Sequence, residues 1–214
     1  MKRHLVLFAK APVLGRVKTR LAAGIGAVSA QRFYRRTLAE LVRRVGRDRS
    51  WGTVLAVSPD RAARQRRLWP GNIRRVPQGG GDLGARMGRV FRDWPPGPVV
   101  IIGADIPEIQ TRHIRQAFRA LGTADAVFGP AADGGYWLVG VRPRASLSRL
   151  FDNVRWSTPH ALADTRRNLH GRAVALLETL DDIDDMPAYL RWRQRTAATG
   201  QVDPAQSIRQ VGSA

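Results

Sequence analysis

The sequence contains no cysteine among its 214 residues, which excludes disulfides and thiolate metal sites. Acidic residues are scarce: 17 Asp and Glu stand against 36 Lys and Arg, and the formal net charge is +19. No uninterrupted apolar run is long enough to span a membrane, and the run Leu5–Ala9 is shorter than the apolar region of a signal peptide. These absences are typical of a cytoplasmic protein, and we expect this location.

The large positive charge raises the question of nucleic-acid binding. Of the 36 cationic residues 33 are Arg, and they are spread over the whole length without a long basic block or a basic-aromatic ladder. An Arg-rich solvated surface is therefore the preferred interpretation, and we do not expect a nucleic-acid partner. A basic nucleic-acid-binding domain stays as an alternative from another functional class, which would bind with a steep dependence on salt.

The alternation of apolar segments predicts one α/β domain. Hydrophobic residues make up 43% of the chain, enough for a substantial core. Strand-like runs alternate with segments of helical periodicity, which predicts a three-layer α/β/α architecture around a mostly parallel central sheet. We expect the domain to cover residues 1–198 and a polar C-terminal tail to cover residues 199–214.

The stretch Pro98–Pro107 predicts the central strand of this sheet. Its apolar residues Val99–Ile102 show no alternation, which is typical of a parallel strand covered on both faces. Asp105 follows two residues past the end of the strand, and open α/β sheets bind ligands outside the carboxyl ends of their strands. Asp105 is therefore either a turn or capping residue or a residue that faces a metal-linked phosphate.

The first predicted strand, His4–Lys10, leads into a basic loop over residues 11–26. Glycine in such a loop allows close approach of the backbone to phosphate, and cations offset phosphate charge. The spacing of a Walker loop is absent, and a flexible basic surface loop is the alternative. The residues that favour phosphate binding are Lys10, Gly15, Arg16, Lys18 and Arg20.

Three further segments predict turns at strand ends or helix starts. In PQGGGDLGARM, a dinucleotide-binding glycine motif is rejected, and Asp82 is placed near a helix N-terminus with Arg86 one turn inside. The segment Asp133–Tyr136 predicts a tight turn before a hairpin or reversed strand. In LDDIDDMPAYL, Asp184 or Asp185 can cap the last helix while one carboxylate turns towards the site.

Two helical features are also predicted between the first strands. Ser29 is expected to cap the helix that follows the basic loop. The Arg-heavy segment Arg61–Trp69 is expected to form a solvated helical face.

Carboxylates that face cations across a sheet edge suit a divalent metal bridging an anionic ligand. Mg²⁺ and Mn²⁺ prefer oxygen ligands and commonly combine one or two carboxylates with phosphate oxygens. The four His are scattered and a G-x-S-x-G motif is absent, so zinc sites and hydrolase triads lack support.

Five motifs in order resemble a known family over about residues 3–195: FAKAPVLGRVKTRL, GDLGARM, GADIP, DGGYWLVG and DDIDDMPAYL. The set resembles a bacterial family of transferases with the nucleotide-diphospho-sugar transferase fold (GT-A-like, Rossmann-like), of the type associated with radical-SAM or selenium-domain proteins. The molybdopterin and phospholactate guanylyltransferases are similar in the N-terminal loop and the strand-end Asp.

The resemblance implies a role for each matched position. The N-terminal loop would hold the base and phosphates of the donor, and the GDLG-x-R-M element would lie near the donor. The strand-end Asp105 would ligate the metal, and the late Asp184 can approach it. One departure is that GADIP carries a single Asp where many GT-A enzymes have Asp-x-Asp. The donor positions are Lys10, Gly15, Lys18, Arg20, Asp82 and Arg86, and the acceptor positions are Asp133, Gly134, Gly135 and Tyr136.

The function implied is transfer from a nucleotide-activated donor with help from Mg²⁺ or Mn²⁺. The leading hypothesis is a glycosyltransferase that moves a sugar from a nucleotide-diphosphate sugar to a small-molecule acceptor, with Asp105 and Asp133 as catalytic residues. The alternative is a guanylyltransferase-like nucleotidyltransferase that acts on a nucleoside triphosphate and a phosphorylated small molecule. The sequence specifies neither the acceptor nor the oligomeric state.

Overall fold

A seven-stranded mixed sheet forms the centre of the protein, whose structure is a computed structural model that describes residues 1–142 and 149–198. The strand order is β3-β2-β1-β4-β6-β5-β7, and within the described chain β6 alone runs antiparallel to its neighbours. The predicted α/β sheet is thereby confirmed, whereas the predicted tail lies outside the described residues. The strands are β1 (His4–Lys10), β2 (Gly52–Ser58), β3 (Arg74–Pro77), β4 (Val99–Gly103), β5 (Ala126–Pro130), β6 (Tyr136–Val141) and β7 (Val174–Leu176).

Six α-helices in the described ranges cover the sheet and its edge. Two short 3₁₀ segments, Asp60–Arg64 and Arg66–Leu68, take the place of the helical face predicted for Arg61–Trp69. The helices are α1 (Thr19–Ile25), α2 (Ala27–Val45), α3 (Leu83–Asp93), α4 (Thr111–Ala120), α5 (Ala161–Arg167) and α6 (Met186–Ala198). None of these helices has the length and apolar character that crossing a bilayer requires.

The strand β4 explains why its apolar run does not alternate. Val100 and Ile102 pack into a cluster with α2 and α4 on one face of the sheet. Val99 and Ile101 pack on the other face, where α3 contributes Met87. Both faces of the strand are therefore buried, and the three-layer α/β/α prediction is confirmed.

Two predicted helix features differ from the structure. The basic loop predicted over residues 11–26 contains α1, and α2 begins at Ala27, so Ser29 lies inside the helix and does not cap it. Gly26 separates the two helices with a φ of 83°, a left-handed conformation that glycine adopts without steric cost.

Carboxylates cap two helices near the sheet edge, as the sequence predicts. Asp82 accepts a hydrogen bond of 2.8 Å from the backbone N–H of Ala85 at the start of α3. Asp185 accepts one of 3.0 Å from the N–H of Ala188 at the start of α6. Because Asp185 caps the helix, its neighbour Asp184 can point away from the helix axis.

The register of β1 and β4 brings the basic loop and the strand-end Asp together. The two strands are parallel, and Phe8 lies opposite Gly103. The segment after Lys10 and the segment that holds Asp105 therefore leave the sheet at the same edge, which is the usual ligand-binding edge of such folds.

Candidate active site

A cleft of about 500 Å³, which we call the first cleft, opens at the carboxyl ends of β1 and β4. This volume lies in the range of small-molecule sites. Five basic residues line it together with two acidic ones, so its surface is suited to an anionic ligand. The charged residues that line it are Lys10, Arg16, Lys18, Arg20, Arg86, Asp105 and Asp184.

Lys18 joins the two acidic residues of the first cleft. Its Nζ donates to Oδ2 of Asp105 at 3.1 Å and to Oδ1 of Asp184 at 2.5 Å, and its side chain is only 3% exposed. Burial disfavours the ammonium, but the carboxylates of Asp105 and Asp184 outweigh burial and raise the pKa of Lys18. Lys18 is therefore a fixed positive charge between the residues predicted to bind a metal.

Asp184 is held by two cations. Besides Lys18, Arg20 contacts it, with Nη2 at 2.6 Å from Oδ2. Burial opposes ionisation of Asp184, yet the charges and hydrogen bonds of Lys18 and Arg20 more than offset burial and lower its pKa. Asp184 is therefore ionised, and its carboxylate lines the first cleft, towards which the sequence predicts that a late carboxylate turns.

The pKa of Asp182 is raised, in contrast to that of Asp184. Burial raises its pKa to about 6, with a further contribution from the negative charge of Asp184 and smaller ones from Asp105 and Asp133. Lys18 counteracts this rise only in part. Three other carboxylates thus act on Asp182 at this edge of the sheet.

Two buried polar side chains shape the floor of the first cleft. The Tyr34 hydroxyl accepts from the N–H of Lys10 at 2.9 Å and donates to the carbonyl oxygen of the same residue at 3.0 Å, which fixes the end of β1 against α2. Burial raises the pKa of Tyr34, so its hydroxyl stays protonated. Gln78 donates to the carbonyl oxygen of Ala56 at 2.9 Å and ties β2 to the segment after β3.

A second cleft of about 210 Å³ adjoins the first. The two share Leu83, Asp105 and Ser157, so Asp105 lies at their boundary. The second cleft has an aromatic wall and three carboxylates. Its lining includes Asp105, Asp133, Asp182, Tyr136, Trp137, Trp156, Gly135 and Thr158.

The predicted Asp-Gly-Gly turn supports one side of the second cleft and leads into the reversed strand β6. Oδ1 of Asp133 accepts from the N–H of Gly135 at 2.9 Å. Gly134 has a φ of 84°, and its carbonyl oxygen accepts from the N–H of Leu162 at 3.1 Å. A Cβ at Gly134 would overlap the carbonyl oxygen of Pro159, so glycine allows the turn to pack against the segment before α5.

An ion pair fixes the opposite side of the second cleft. Arg155 donates to Asp164 through its backbone N at 3.2 Å, Nε at 2.8 Å and Nη2 at 2.9 Å. These hydrogen bonds hold the pKa of Asp164 well below its usual range. The clamp orients the segment that carries Trp156 and Ser157.

The structure brings most predicted site residues together, but not all of them. The first cleft is lined by Lys10, Lys18, Arg20, Arg86, Asp105 and Asp184, and the second by Asp133, Gly135 and Tyr136. Three others lie beside the clefts and line neither. Gly15 is exposed in the loop, Asp82 caps α3, and Gly134 supports the turn.

Sequence reasoning missed Asp182, Tyr34, Gln78 and the Trp156–Thr158 segment as site residues. Asp182 stood in the conspicuous acidic run, but nothing in that run separates it from Asp184. Tyr34 resembles the apolar residues of α2 in its spacing. Trp156 lies in a segment held by the Arg155–Asp164 pair and packs against Tyr136 of β6, contacts that no local sequence pattern specifies.

The donor set fits a divalent cation that brings ligands of its own. Within residues 1–142 and 149–198, no group of three or more His, Cys, Asp or Glu is arranged to hold a metal ion. Asp105 and Asp184 nevertheless already share one cation, the Lys18 ammonium, and Asp182 adds a further carboxylate nearby. Two carboxylates completed by phosphate oxygens and water are a usual setting for Mg²⁺ or Mn²⁺.

Solved structures share this fold over nearly the whole chain. A candidate nucleotide-diphospho-sugar transferase from Desulfovibrio desulfuricans G20 is 26% identical, with a TM-score of 0.77 over 95% of this chain and 100% of that one. The protein therefore has the nucleotide-diphospho-sugar transferase-like fold that the sequence predicts.

More distant structures are similar in fold alone. A nucleotidyl transferase from Methanothermobacter is 16% identical, with a TM-score of 0.62 over 92% of this chain and 99% of that one. A 4-diphosphocytidyl-2C-methyl-D-erythritol synthase from Anaerococcus prevotii DSM 20548 is 11% identical, with a TM-score of 0.61 over 92% of this chain and 96% of that one.

The sequence comparisons define the family. No curated protein matches the chain in sequence. Residues 41–158, which include β4, Asp105 and the Asp-Gly-Gly turn, match the model of a family described as "Uncharacterized protein conserved in bacteria (DUF2064)". This match covers more than half of the chain, and the protein belongs to the DUF2064 family.

Proposed function

We propose that this protein transfers a sugar from a nucleotide-diphosphate donor to a hydroxyl group of an acceptor. The observation that carries the proposal is the meeting of two different clefts at Asp105, one rich in cations and one lined by aromatic side chains and carboxylates. Group transfer needs two adjoining binding places, because the acceptor atom must lie within reach of the bond that breaks.

The first cleft suits the diphosphate of the donor. Lys18 and Arg20 carry charges that would offset the negative charge of the phosphates. Asp184 contacts both cations, so phosphate oxygens would compete with that carboxylate for their hydrogens. Such preorganised cations stabilise the charge that develops on the leaving diphosphate.

A divalent metal would complete the charge balance of the site. Asp105 and Asp184 would hold Mg²⁺ or Mn²⁺, which when bound supplies Lewis-acid stabilisation of phosphate oxygens. Lys18 and Arg20 act on the same phosphate charge from the protein side. Tyr34 keeps the end of β1 in place beneath these groups through its two hydrogen bonds to Lys10.

The second cleft would receive the acceptor. Asp133 is the candidate general base: Oδ1 is occupied by the N–H of Gly135, which leaves Oδ2 to take a proton from an acceptor hydroxyl. Gly135 and Tyr136 follow directly in the chain and line the same cleft as Asp105.

The similarity to the Desulfovibrio structure supports a sugar-nucleotide donor. The Methanothermobacter and Anaerococcus proteins are nucleotidyltransferases of the same fold, and their similarity favours the alternative of nucleotidyl transfer. A thermal-shift screen of nucleoside triphosphates and sugar nucleotides, with and without Mg²⁺ or Mn²⁺, separates the two. We expect a sugar nucleotide to raise the Tm and to release a nucleoside diphosphate. Pyrophosphate release from a triphosphate would instead indicate nucleotidyl transfer.

The Asp105→Asn variant tests the centre of the site. Asn retains the size and a hydrogen-bond acceptor for Lys18 but removes the charge, so we expect metal-dependent donor affinity to fall at least tenfold, about 1.4 kcal/mol. Isothermal titration calorimetry measures this affinity. Asp93→Asn is the matched control, because Asp93 is exposed at the end of α3 and pairs with Arg92. Wild-type donor affinity in the Asp105 variant would refute its role.

A further inference from the structure

The second cleft is acidic on a molecule that is strongly basic. Lys and Arg outnumber Asp and Glu 36 to 17 in the chain. Among the described residues that line the second cleft, however, the charged ones are Asp105, Asp133 and Asp182, and none is Lys or Arg. The first cleft, which shares Asp105, is lined by five basic residues. Charge is therefore segregated between two neighbouring clefts.

The carboxylates of the second cleft differ in how far they are neutralised. Asp105 is paired with Lys18. Asp133 is bound by a neutral backbone N–H, which leaves its charge uncompensated. Asp182 lines the cleft and makes no hydrogen bond or ion pair with another residue of the described chain, although the charge of Lys18 acts on it through space. Two of the three carboxylates thus remain available to hydrogen-bond donors of a ligand.

The aromatic wall adds a second, independent preference. Tyr136 and Trp156 pack edge to face with ring centroids 6.3 Å apart, and Trp137 is fixed by a hydrogen bond of 3.2 Å from Nε1 to the carbonyl oxygen of Glu178. Aromatic faces offer apolar contact area, and their quadrupole attracts positive charge and disfavours anions. A cleft of about 210 Å³ with such walls suits a compact ring or short chain.

We infer that the acceptor is a compact polyhydroxylated compound without negative charge, held by hydrogen bonds from its hydroxyls to Asp133 and Asp182 and by the Tyr136–Trp156 wall. This inference rests on the proposed function and specifies its acceptor. A phosphorylated acceptor would bring its charge against two carboxylates that form no ion pair within the described residues, where the described lining offers no cation to receive it. The acidic lining therefore selects by excluding anions.

Trp156 reports the charge of the cleft directly. It is partly exposed in the second cleft, whereas the similarly exposed Trp94 lies at the end of α3 away from both clefts. Subtracting the fluorescence of Trp156→Phe from that of the wild type isolates Trp156, and Trp94→Phe isolates Trp94 in the same way. Caesium, iodide and acrylamide serve as cationic, anionic and neutral quenchers at constant ionic strength.

We expect caesium to quench Trp156 about twofold more than iodide after normalisation to acrylamide, and iodide to be preferred at Trp94 because the molecule is basic. In Asp133→Asn/Asp182→Asn the preference at Trp156 should shift towards iodide. Iodide quenching of wild-type Trp156 that equals or exceeds caesium quenching would overturn the inference, whatever donor the protein binds.

Three related sugars of different charge test the proposed class of acceptor. Glucose, glucosamine and glucose 6-phosphate are compared for stimulation of nucleoside diphosphate release from the sugar nucleotide found by thermal shift. We expect the uncharged or cationic member to exceed the phosphate ester. Preferential use of the ester would overturn the acceptor class and leave the proposed sugar transfer intact, whereas failure of all sugar nucleotides to bind would refute the proposed function.

Discussion

At the scale of single residues, Lys18 determines the state of the candidate site. It has a left-handed backbone, with a φ of 49°, and its side chain is 3% exposed between two carboxylates. A left-handed conformation costs a non-glycine residue of order 1 kcal/mol, so the contacts of Lys18 must offset that cost. Lys18 contacts both Asp105 and Asp184, so it would compete with a metal ion held by these carboxylates as proposed above.

Replacing Lys18 by Met tests this competition. Met keeps a similar length but leaves the two carboxylates without their shared cation, so Mn²⁺ affinity without nucleotide should rise about tenfold, ~1.4 kcal/mol. Donor affinity should fall, because one phosphate-binding charge is lost. Electron paramagnetic resonance of free Mn²⁺ measures the first effect. Lys2→Met, an exposed change outside the clefts, should leave both affinities unchanged. An unaltered Mn²⁺ affinity in Lys18→Met would rule out the competition.

At the scale of elements, the second cleft depends on the contact between the Asp133–Gly135 turn and the segment before α5. Gly134 provides that contact through its left-handed φ and through the hydrogen bond to Leu162. The turn carries Asp133 and the segment carries Trp156, so their mutual packing sets the shape of the cleft.

Gly134→Ala should therefore cost more stability than the same change at Gly15. Both glycines have positive φ, and Ala costs about 1 kcal/mol at either site for that reason. At Gly15 an added Cβ meets nothing within 4 Å, whereas at Gly134 it overlaps the backbone of Pro159. We expect Gly134→Ala to lower the free energy of unfolding by a further ~1–3 kcal/mol in urea titrations. Equal losses at the two positions would show that the turn can move without cost.

The elements also show how far the sequence predicts this molecule. Apolar runs and the turn residues beside them predicted β1, β4 and the reversed β6, because these elements follow from local sequence patterns. The helix α1 was missed since Gly24 and Gly26 indicate a loop. In the structure Gly24 lies against α6, where a Cβ would be 3.0 Å from Sδ of Met186, so its glycine reflects a tertiary contact.

The candidate site likewise contains features that local sequence patterns predict and features that depend on tertiary packing. Asp105 and Lys18 were predictable because the ends of adjacent parallel strands meet at one edge. Their direct ion pair and the raised pKa of Asp182 depend on burial and side-chain packing, which no local pattern specifies. Trp156 was not predictable, because its position rests on tertiary contacts, among them the Arg155–Asp164 pair beside it and its packing against Tyr136.

At the scale of the whole molecule, the basic overall charge contrasts with the acidic second cleft. A net charge of +19 would attract an anionic ligand over distances of about a Debye length, which is roughly 10 Å at 0.1 M salt. The same charge makes the compact state sensitive to further protonation. Stability below neutral pH therefore depends on which groups take up protons.

His4 is one group whose neutral form the fold requires. Its Nε2 is buried without a hydrogen-bond partner in the described chain, and burial lowers its pKa below the usual 6.5. Below about pH 6.5 the unfolded chain therefore binds a proton at His4 more readily than the folded chain does. The contribution of neutral His4 to the stability of the folded state is complete above about pH 6.5 and is lost as the pH falls further. Asp182 acts in the opposite sense between about pH 4 and 6, because its raised pKa makes the folded state take up a proton first.

His4→Asn should flatten the pH dependence of stability between about pH 7 and 5. Asn removes the titrating group, so the Tm of the variant should fall by a few degrees less than that of the wild type over this interval, as measured by differential scanning calorimetry at constant ionic strength. Both proteins retain Asp182, so its opposing contribution cancels in the difference. His170→Asn, which removes an exposed His, should keep the wild-type slope. Parallel curves for His4→Asn and the wild type would mean that the folded state accommodates the charged imidazole.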